Sequence, residues 1–459
     1  MTGDRELLRR TAEIATDFLE TLHEQPVFPN STHDELADAL SAPLPEDPSD
    51  PLEVLEDVAS ALSPGVVATA GPRYFGFVTG GALPATVAVD WLLSTWDQSN
   101  GLYATGPSVT IAEEVAAQWM KDVLGLPSGA SVAFVTGCQM AHVTCLAAAR
   151  HAVLERAGWD VATNGLWGAP RVSVVAGAHR HVTVDRAIRL LGMGTGSIVV
   201  VPADAQGRMR ADALHETLDQ LVGPVIVCAQ AGEVNTGSFD PLREIEGISH
   251  AAGAWLHIDA AFGIWAAASP SRRSLLAGHD RADSWAFDAH KWLNVPYDCG
   301  VAVCAHADAQ RAAMRLTAAY LRATGEERNP ADLTPEASRR ARGVTVYAAL
   351  RSLGRRGVAD LVDRCCDRAS QFAASIAGLP GCEVLNDVVL NQVLFRFADD
   401  EATAAVLAAV QESGEAWMGG TVWNDRAAIR VSVSNWRTTE DDIERTVAAF
   451  EAALSAVAA

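Results

Sequence analysis

Only two of the 35 basic side chains are lysines, Lys121 and Lys291. The second lies in Asp283-Ser-Trp-Ala-Phe-Asp-Ala-His-Lys-Trp-Leu-Asn, between a strand-like apolar run and a turn. A chain that uses arginine almost everywhere else places a primary amine there. Guanidinium cannot form a Schiff base at neutral pH, whereas a lysine amine with a lowered pKa can attack an aldehyde. The competing reading is a leftover surface lysine, so the neighbouring motifs carry the decision.

Asp259 ends the apolar run Trp255-Leu-His-Ile-Asp, 32 residues before Lys291. A carboxylate there suits a protonated ring nitrogen, which can take up the electron pair released at a substrate Cα. Acidic residues end strands in many α/β proteins, however. Ala261, two residues on, is small enough for a ring to lie against the backbone. In Ala178-His-Arg-His-Val-Thr-Val-Asp-Arg-Ala, His179 and His181 fall where a strand passes into a helix. An imidazole there can stack on a ring, donate a proton or wall off a departing carboxylate; the plainer alternative is a helix-start histidine satisfied by backbone. Val135-Thr-Gly-Cys-Gln-Met-Ala-His is a strand-to-helix turn. Its backbone N–H groups and helix dipole at Gly137, Cys138 and Gln139 make an anion site suited to a phosphate. Asp288 and His290 are expected to complete those contacts, and Asn235, at another strand end, to reach the cofactor or a substrate carboxylate. Amine, carboxylate, imidazole and anion turn together point to pyridoxal phosphate, with no metal.

The elements that must hold these residues alternate from about Val132 onward. Strand-like runs start at Ser131, Val172, Ile198, Pro224, Trp255 and Gly300, with amphipathic helices expected over residues 141–155, 182–191, 211–221 and 241–251. This pattern predicts an α/β fold, a mostly parallel sheet flanked by helices, with ligands at the carboxyl ends of its strands. Residues 1–70 read as a helical arm with a Pro- and acid-rich connector, residues 71–325 as the large cofactor-binding domain, and residues 326–459 as a mobile loop, a connecting helix and a small C-terminal α+β domain. The loop 326–336 is expected to be free and to close over the site.

At 459 residues and 49% apolar composition the chain is long enough for a large core. A formal charge of −22 argues against nucleic acid or an anionic membrane as partner. Neither a secretory signal nor an apolar run long enough to span a bilayer is apparent, and eight scattered cysteines without a CxxC pair suggest neither zinc ribbon nor disulfide framework. A cytoplasmic protein is expected.

Three segments together, Gly177-Ala-His-Arg-His-Val-Thr-Val-Asp-Arg-Ala, Leu256-His-Ile-Asp-Ala-Ala-Phe and Asp288-Ala-His-Lys-Trp-Leu-Asn-Val-Pro-Tyr-Asp-Cys, resemble the pyridoxal-phosphate-dependent group II amino-acid decarboxylases, the aromatic-amino-acid and glutamate decarboxylase family of fold type I. The resemblance runs from Arg73-Tyr-Phe-Gly-Phe to Arg430-Val-Ser-Val-Ser-Asn-Trp-Arg-Thr. It implies a seven-stranded sheet and decarboxylation of an L-amino acid. Lys291 becomes the Schiff-base lysine, Asp259 the ring-nitrogen partner, His181 the stacked residue, Gly137 to Gln139 the phosphate turn, and Thr79 a residue of the substrate cleft. It also implies a homodimer with active sites between subunits and the N-terminal arm packed on the partner. One departure stands out: the loop tyrosine that protonates the substrate carbon in aromatic-type relatives aligns at or near Pro330. Tyr103, Tyr320 and Tyr347 are possible substitutes. The alternatives are therefore a decarboxylating oxidative deaminase, an aldolase or other carbon–carbon lyase, or a non-catalytic homologue; an aminotransferase fits less well. Phe77, Trp96, Leu102 and Tyr103 suggest a partly apolar substrate pocket.

Overall fold

The computed structural model describes residues 3–41, 43–316 and 327–457. Tyr320 lies outside them. Seven strands, β1 (Ser131–Val135), β2 (Ser173–Gly177), β3 (Ile198–Val201), β4 (Val225–Gln230), β5 (Trp255–Asp259), β6 (Ser284–Asp288) and β7 (Gly300–Cys304), form one sheet in the order β1-β7-β6-β5-β4-β2-β3. Only β7 runs against its neighbours; the other pairs are parallel. Alternate residues of one strand enter different cores. Val174 and Ala176, with Ile226 and Cys228, join one cluster, while Val175, Val227 and Ala229 join the other. Both faces are therefore covered, which is why these strands read as continuous apolar runs rather than alternating ones.

Strand register brings the chemistry together. Asp259 pairs with Ala286 on the next strand, and Gly300 lies opposite both Asp288 and Val135. The carboxyl ends of β5, β6 and β1 thus meet at one rim, where the helix Cys138–Arg156 begins. Gly300 has to be glycine: a Cβ there would lie 2.3 Å from the Gly137 backbone carbon.

A second sheet, in the order β10-β11-β9-β8, is antiparallel throughout and consists of β8 (Glu383–Val384), β9 (Gln392–Arg396), β10 (Gly419–Trp423) and β11 (Arg426–Ser432). Phe372, Phe395 and Phe450 lock it to the helices behind it through edge-to-face contacts of 5.4–6.1 Å. The connecting helix Gly343–Ile376 is two helices joined at Gly354, which takes φ 61° and ψ 176°; it begins at Gly343 rather than near Pro335.

Two segments make contacts outside the unit expected for them. Residues 73–75 belong with the small domain, since Phe75 N donates to Trp417 O, Ser432 N donates to Phe75 O, and Arg73 pairs with Asp442 at 3.2 Å. Residues 327–336, expected as a free loop, are seated: Ala331 N donates to Gly101 O, Asn329 Oδ1 accepts from Tyr103 N, and Arg328 reaches Val132 O. The loop's prolines fix its turn, and its polar ends find backbone partners on the neighbouring segment. At the other end of the chain, the helices Asp4–Thr21, His33–Leu40 and Pro51–Leu62 contain no buried residue.

Candidate active site

Lys291 lies just beyond the end of β6, with its Nζ 3.0 Å from Asp288 Oδ2. Asp288 also accepts from Cys138 N at 2.6 Å and lies 3.4 Å from His290 Nε2. Cys299 N donates to His290 Nδ1 at 3.0 Å, so the remaining proton of a neutral His290 sits on Nε2 and points at Asp288. Burial opposes the charge on Lys291, yet the carboxylates, Asp288 first and then Asp259, more than offset it and hold the ammonium above the usual lysine range. The sequence-based expectation of a lowered lysine pKa therefore fails for this charge state. Asp288 is also not a phosphate ligand. A carboxylate has no hydrogen to give a phosphate, and this one is engaged by an ammonium, a backbone N–H and an imidazole.

Asp259, 4% exposed at the end of β5, keeps Oδ1 within 3.5 Å of His142 Nε2 and accepts from Ala261 N at 3.2 Å. Burial works against its ionised form, but His142, through the N–H it turns on Oδ1, and the Lys291 ammonium outweigh it and push the carboxyl well below the usual range. His142 itself rests on His257, Nδ1 to Nε2, at 2.9 Å. Neither histidine was singled out from the sequence. A signal existed, since His257 precedes Asp259 by two on the same strand and so shares its face, and His142 lies one helical turn beyond Cys138.

His181 caps the helix Val182–Leu190, its Nδ1 accepting from Thr183 N at 3.4 Å and lying 2.8 Å from Thr183 Oγ1. Burial, with Lys291, His142 and Arg430, lowers its pKa against the pull of Asp259. The ring is therefore neutral at physiological pH, with its proton on Nε2. His179 instead packs on Trp423, with centroids 4.6 Å apart and the rings tilted by 37°. Gln139 bonds Thr183 O at 3.2 Å and ties the anion turn to the His181 helix. The Cys138 thiol turns inward to His142 Nε2, 3.4 Å away, and burial first of all keeps it protonated. Asn235 uses its side chain on Glu233 and Thr421, and no described contact joins it to Lys291.

Thr79 is 5% exposed and lies 3.4 Å from the hydroxyl of Tyr297. Tyr297, which sequence reasoning passed over, packs on His290 with ring centroids 4.4 Å apart. The segment before Thr79 is strained: Phe77 and Val78 both have positive φ, 54° and 60°, which is costly for a β-branched residue. It is held against the lysine loop so closely that a Cβ on Gly80 would lie 1.7 Å from Lys291 O. Phe77 is left 60% exposed at this rim. Trp96, Leu102 and Tyr103 are not linked to Lys291 by any described contact.

These residues fit pyridoxal phosphate. An amine within reach of solvent, a buried anionic carboxylate on the next strand, a neutral imidazole and the first-turn N–H groups of a 19-residue helix offer one partner for each end of that molecule. Cys138, His142 and Asp259 also bring ligand-capable atoms within 4.8 Å of one another, a grouping a metal could use. Asp259 cannot serve a metal and a ring nitrogen at once.

Comparison with known proteins assigns the family. An aromatic-L-amino-acid decarboxylase of Bacillus atrophaeus is 27% identical over 456 residues, covering 96% of this chain and 93% of its own. An L-2,4-diaminobutyrate decarboxylase of Rhizobium meliloti is 28% identical, covering 80% of this chain and 75% of its own. The crystal structure of an Oryza sativa TDC with PLP and tryptamine superposes with a TM-score of 0.92 at 24% identity, covering 99% of this chain and 98% of that one. Residues 34–398 match the pyridoxal-dependent decarboxylase conserved domain, and the chain belongs to that family of pyridoxal-phosphate-dependent amino-acid decarboxylases.

Proposed function

We propose that Lys291, Asp259 and His181 carry the family's reaction in this chain, the release of carbon dioxide from an L-amino acid. The observation that supports it most is the paired arrangement of Lys291 on Asp288 and Asp259 on His142, two buried carboxylates on adjacent strands flanking one amine. Bound there, pyridoxal phosphate supplies an aldehyde carbon for the amine and a cationic ring that accepts the electron pair left at Cα. Asp288 holds the Lys291 nitrogen in place and is positioned to take its proton. Asp259 keeps a negative charge facing the ring nitrogen. His181, neutral with Nε2–H free, walls one side and offers a proton. Gln139 and the first turn of its helix, with Gly137, bind the phosphate.

The enzyme works as a homodimer in the cytoplasm. Three arm helices without a buried residue, with Leu8, Phe28, Leu40, Val58 and Leu62 exposed, leave an apolar surface that a second copy of the chain would cover. All eight cysteines are free, as suits a reducing compartment, and no described helix is long and apolar enough to cross a membrane. The test is reconstitution with pyridoxal phosphate and a screen of amino acids for carbon dioxide and the matching amine. A keto acid with the cofactor left in its amine form would overturn the reading.

A further inference from the structure

Behind Asp259 runs a line of buried polar groups that the reaction itself does not touch. Trp255 Nε1 donates to Ser284 Oγ at 2.9 Å, Ser284 Oγ lies 2.9 Å from His257 Nδ1, His257 Nε2 lies 2.9 Å from His142 Nδ1, and His142 Nε2 lies 3.5 Å from Asp259 Oδ1. Ser284, His257 and His142 are wholly buried, so no solvent can reverse or repair a link.

The direction of every bond can be deduced. An indole N–H only donates and an ionised carboxylate only accepts. The proton facing Asp259 therefore sits on His142 Nε2, and a neutral His142 must accept at Nδ1. His257 then gives its Nε2–H and accepts at Nδ1, from the Ser284 hydroxyl. The opposite order would leave the Ser284 hydrogen without an acceptor among the described residues, and would turn a His142 lone pair toward Asp259 Oδ1 at 3.5 Å, met only by the weak donor Cys138 Sγ at 3.4 Å. A doubly protonated His142 meets the same obstacle at Ser284. Either fault, buried, costs about 1–3 kcal/mol or more.

We propose that Ser284, His257 and His142 form a one-way hydrogen-bond relay that fixes His142 as a neutral Nε2–H donor to Asp259. They are positioning residues for the carboxylate that meets the cofactor's ring nitrogen, an assignment that rests on the functional reading above. Burial, above all, lowers the His257 pKa to about 3 against the pull of Asp259, in keeping with a ring that stays neutral. The relay also removes the lone pair that a metal bound between Cys138, His142 and Asp259 would need. Its consequence is a carboxylate whose charge and orientation are set from behind, whatever the pH outside.

Neutron diffraction or selective ¹⁵N-histidine spectroscopy reads the tautomers directly, in both the pyridoxal-phosphate-loaded and the cofactor-free protein. His142 and His257 should both be neutral Nε2–H forms, unchanged between about pH 6 and about pH 8. A proton on His142 Nδ1, or an imidazolium at either ring, overturns the relay. His142→Leu should weaken pyridoxal phosphate binding by about tenfold, the worth of one charge-assisted bond, while His142→Gln, which keeps an N–H at similar reach, should stay within about threefold. Ser284→Ala, a smaller perturbation, should shift His257 to the Nδ1–H form or a mixture. Leu, Gln and Ala variants all matching wild type in affinity, tautomer and the pH profile of the bound cofactor's absorption would refute the proposal. An intact relay in a protein that releases no carbon dioxide would instead count against the functional reading alone.

Discussion

Replacing Asp259 by asparagine removes a charge while leaving a shape. The amide oxygen still accepts from His142 Nε2 and Ala261 N, which lie 3.5 and 3.2 Å away in the native protein, so the strand end keeps its bonds. What disappears is a full negative charge at a position 4% exposed. Opposite unit charges about 3 Å apart, at an effective permittivity of about 20, attract by roughly 5 kcal/mol. Without that attraction a bound ring would lose the proton on its nitrogen and with it the positive charge that makes it an electron sink, and a loss of this size corresponds to nearly four powers of ten in rate. The assay is initial-rate carbon dioxide release at saturating substrate, with cofactor occupancy followed by absorbance and folding by thermal midpoint. The expected result is a midpoint close to wild type, weaker cofactor retention and turnover lower by about 10³- to 10⁴-fold. Turnover within about tenfold of wild type at full occupancy would refute the electrostatic role, because the same geometry would then be working without the charge.

Borohydride reduction of the loaded protein followed by peptide mapping should mark Lys291 and not Lys121, whose amine is tied to Ser128 O and Ala130 O; label on Lys121 defeats the assignment. Truncation of residues 1–62 should expose the surface the arm covers and give monomer or aggregate in light scattering, and an intact soluble dimer would show that the arm is not part of the interface. Hydrogen bonding to Asp283 at 2.7 Å raises the His306 pKa above its unfolded value, so its stabilisation is complete below about pH 6.5 and is lost as pH rises through the folded value. Because His306 is half exposed the effect should be under about 1 kcal/mol, visible as a steeper fall of the thermal midpoint above neutrality in wild type than in His306→Gln; parallel curves would exclude it. Tyr297→Phe should slow amine formation and, in air, raise aldehyde and peroxide over amine, since the Tyr297 hydroxyl lies 3.4 Å from Thr79; identical products and rates under air and nitrogen would remove it as a proton source.

Much of the large domain was legible because its strands are short, apolar and bounded by amphipathic helices. Trp255–Asp259 and Gly300–Cys304 begin and end where the pattern says. The helix after Gly137 begins three residues earlier than the apolar period suggests, since its first turn is polar and faces the site rather than the core. The hairpin β10–β11 was half missed, although Asn424 and Asp425 both take positive φ, the two-residue turn that such a pair favours. Lys291, Asp259 and His181, the residues proposed for the reaction, were singled out by residue type and by position just beyond a strand, at a strand end and at a helix start, and that is where the structure sets them. Their partners were harder. His142 and Tyr297 reach the site only through tertiary packing, across 117 residues in the first case and against Thr79, 218 residues away, in the second.

The lysine itself shows why residue type alone mispredicts a pKa. A buried amine loses its proton readily only when the burial is apolar, and here two carboxylates, Asp288 and Asp259, are buried with it. Asp288, Asp259 and Lys291 bring together two negative charges against one positive. That imbalance favours a second cation, and a protonated ring nitrogen at Asp259 is one. Once Asp259 is neutralised in this way, the field holding the proton on Lys291 weakens, and Asp288, already 3.0 Å from Nζ, is the acceptor at hand. On the proposed function, the nucleophilic amine would be produced by occupation of the site rather than stored in the resting protein, where Asp288 holds the lysine charged.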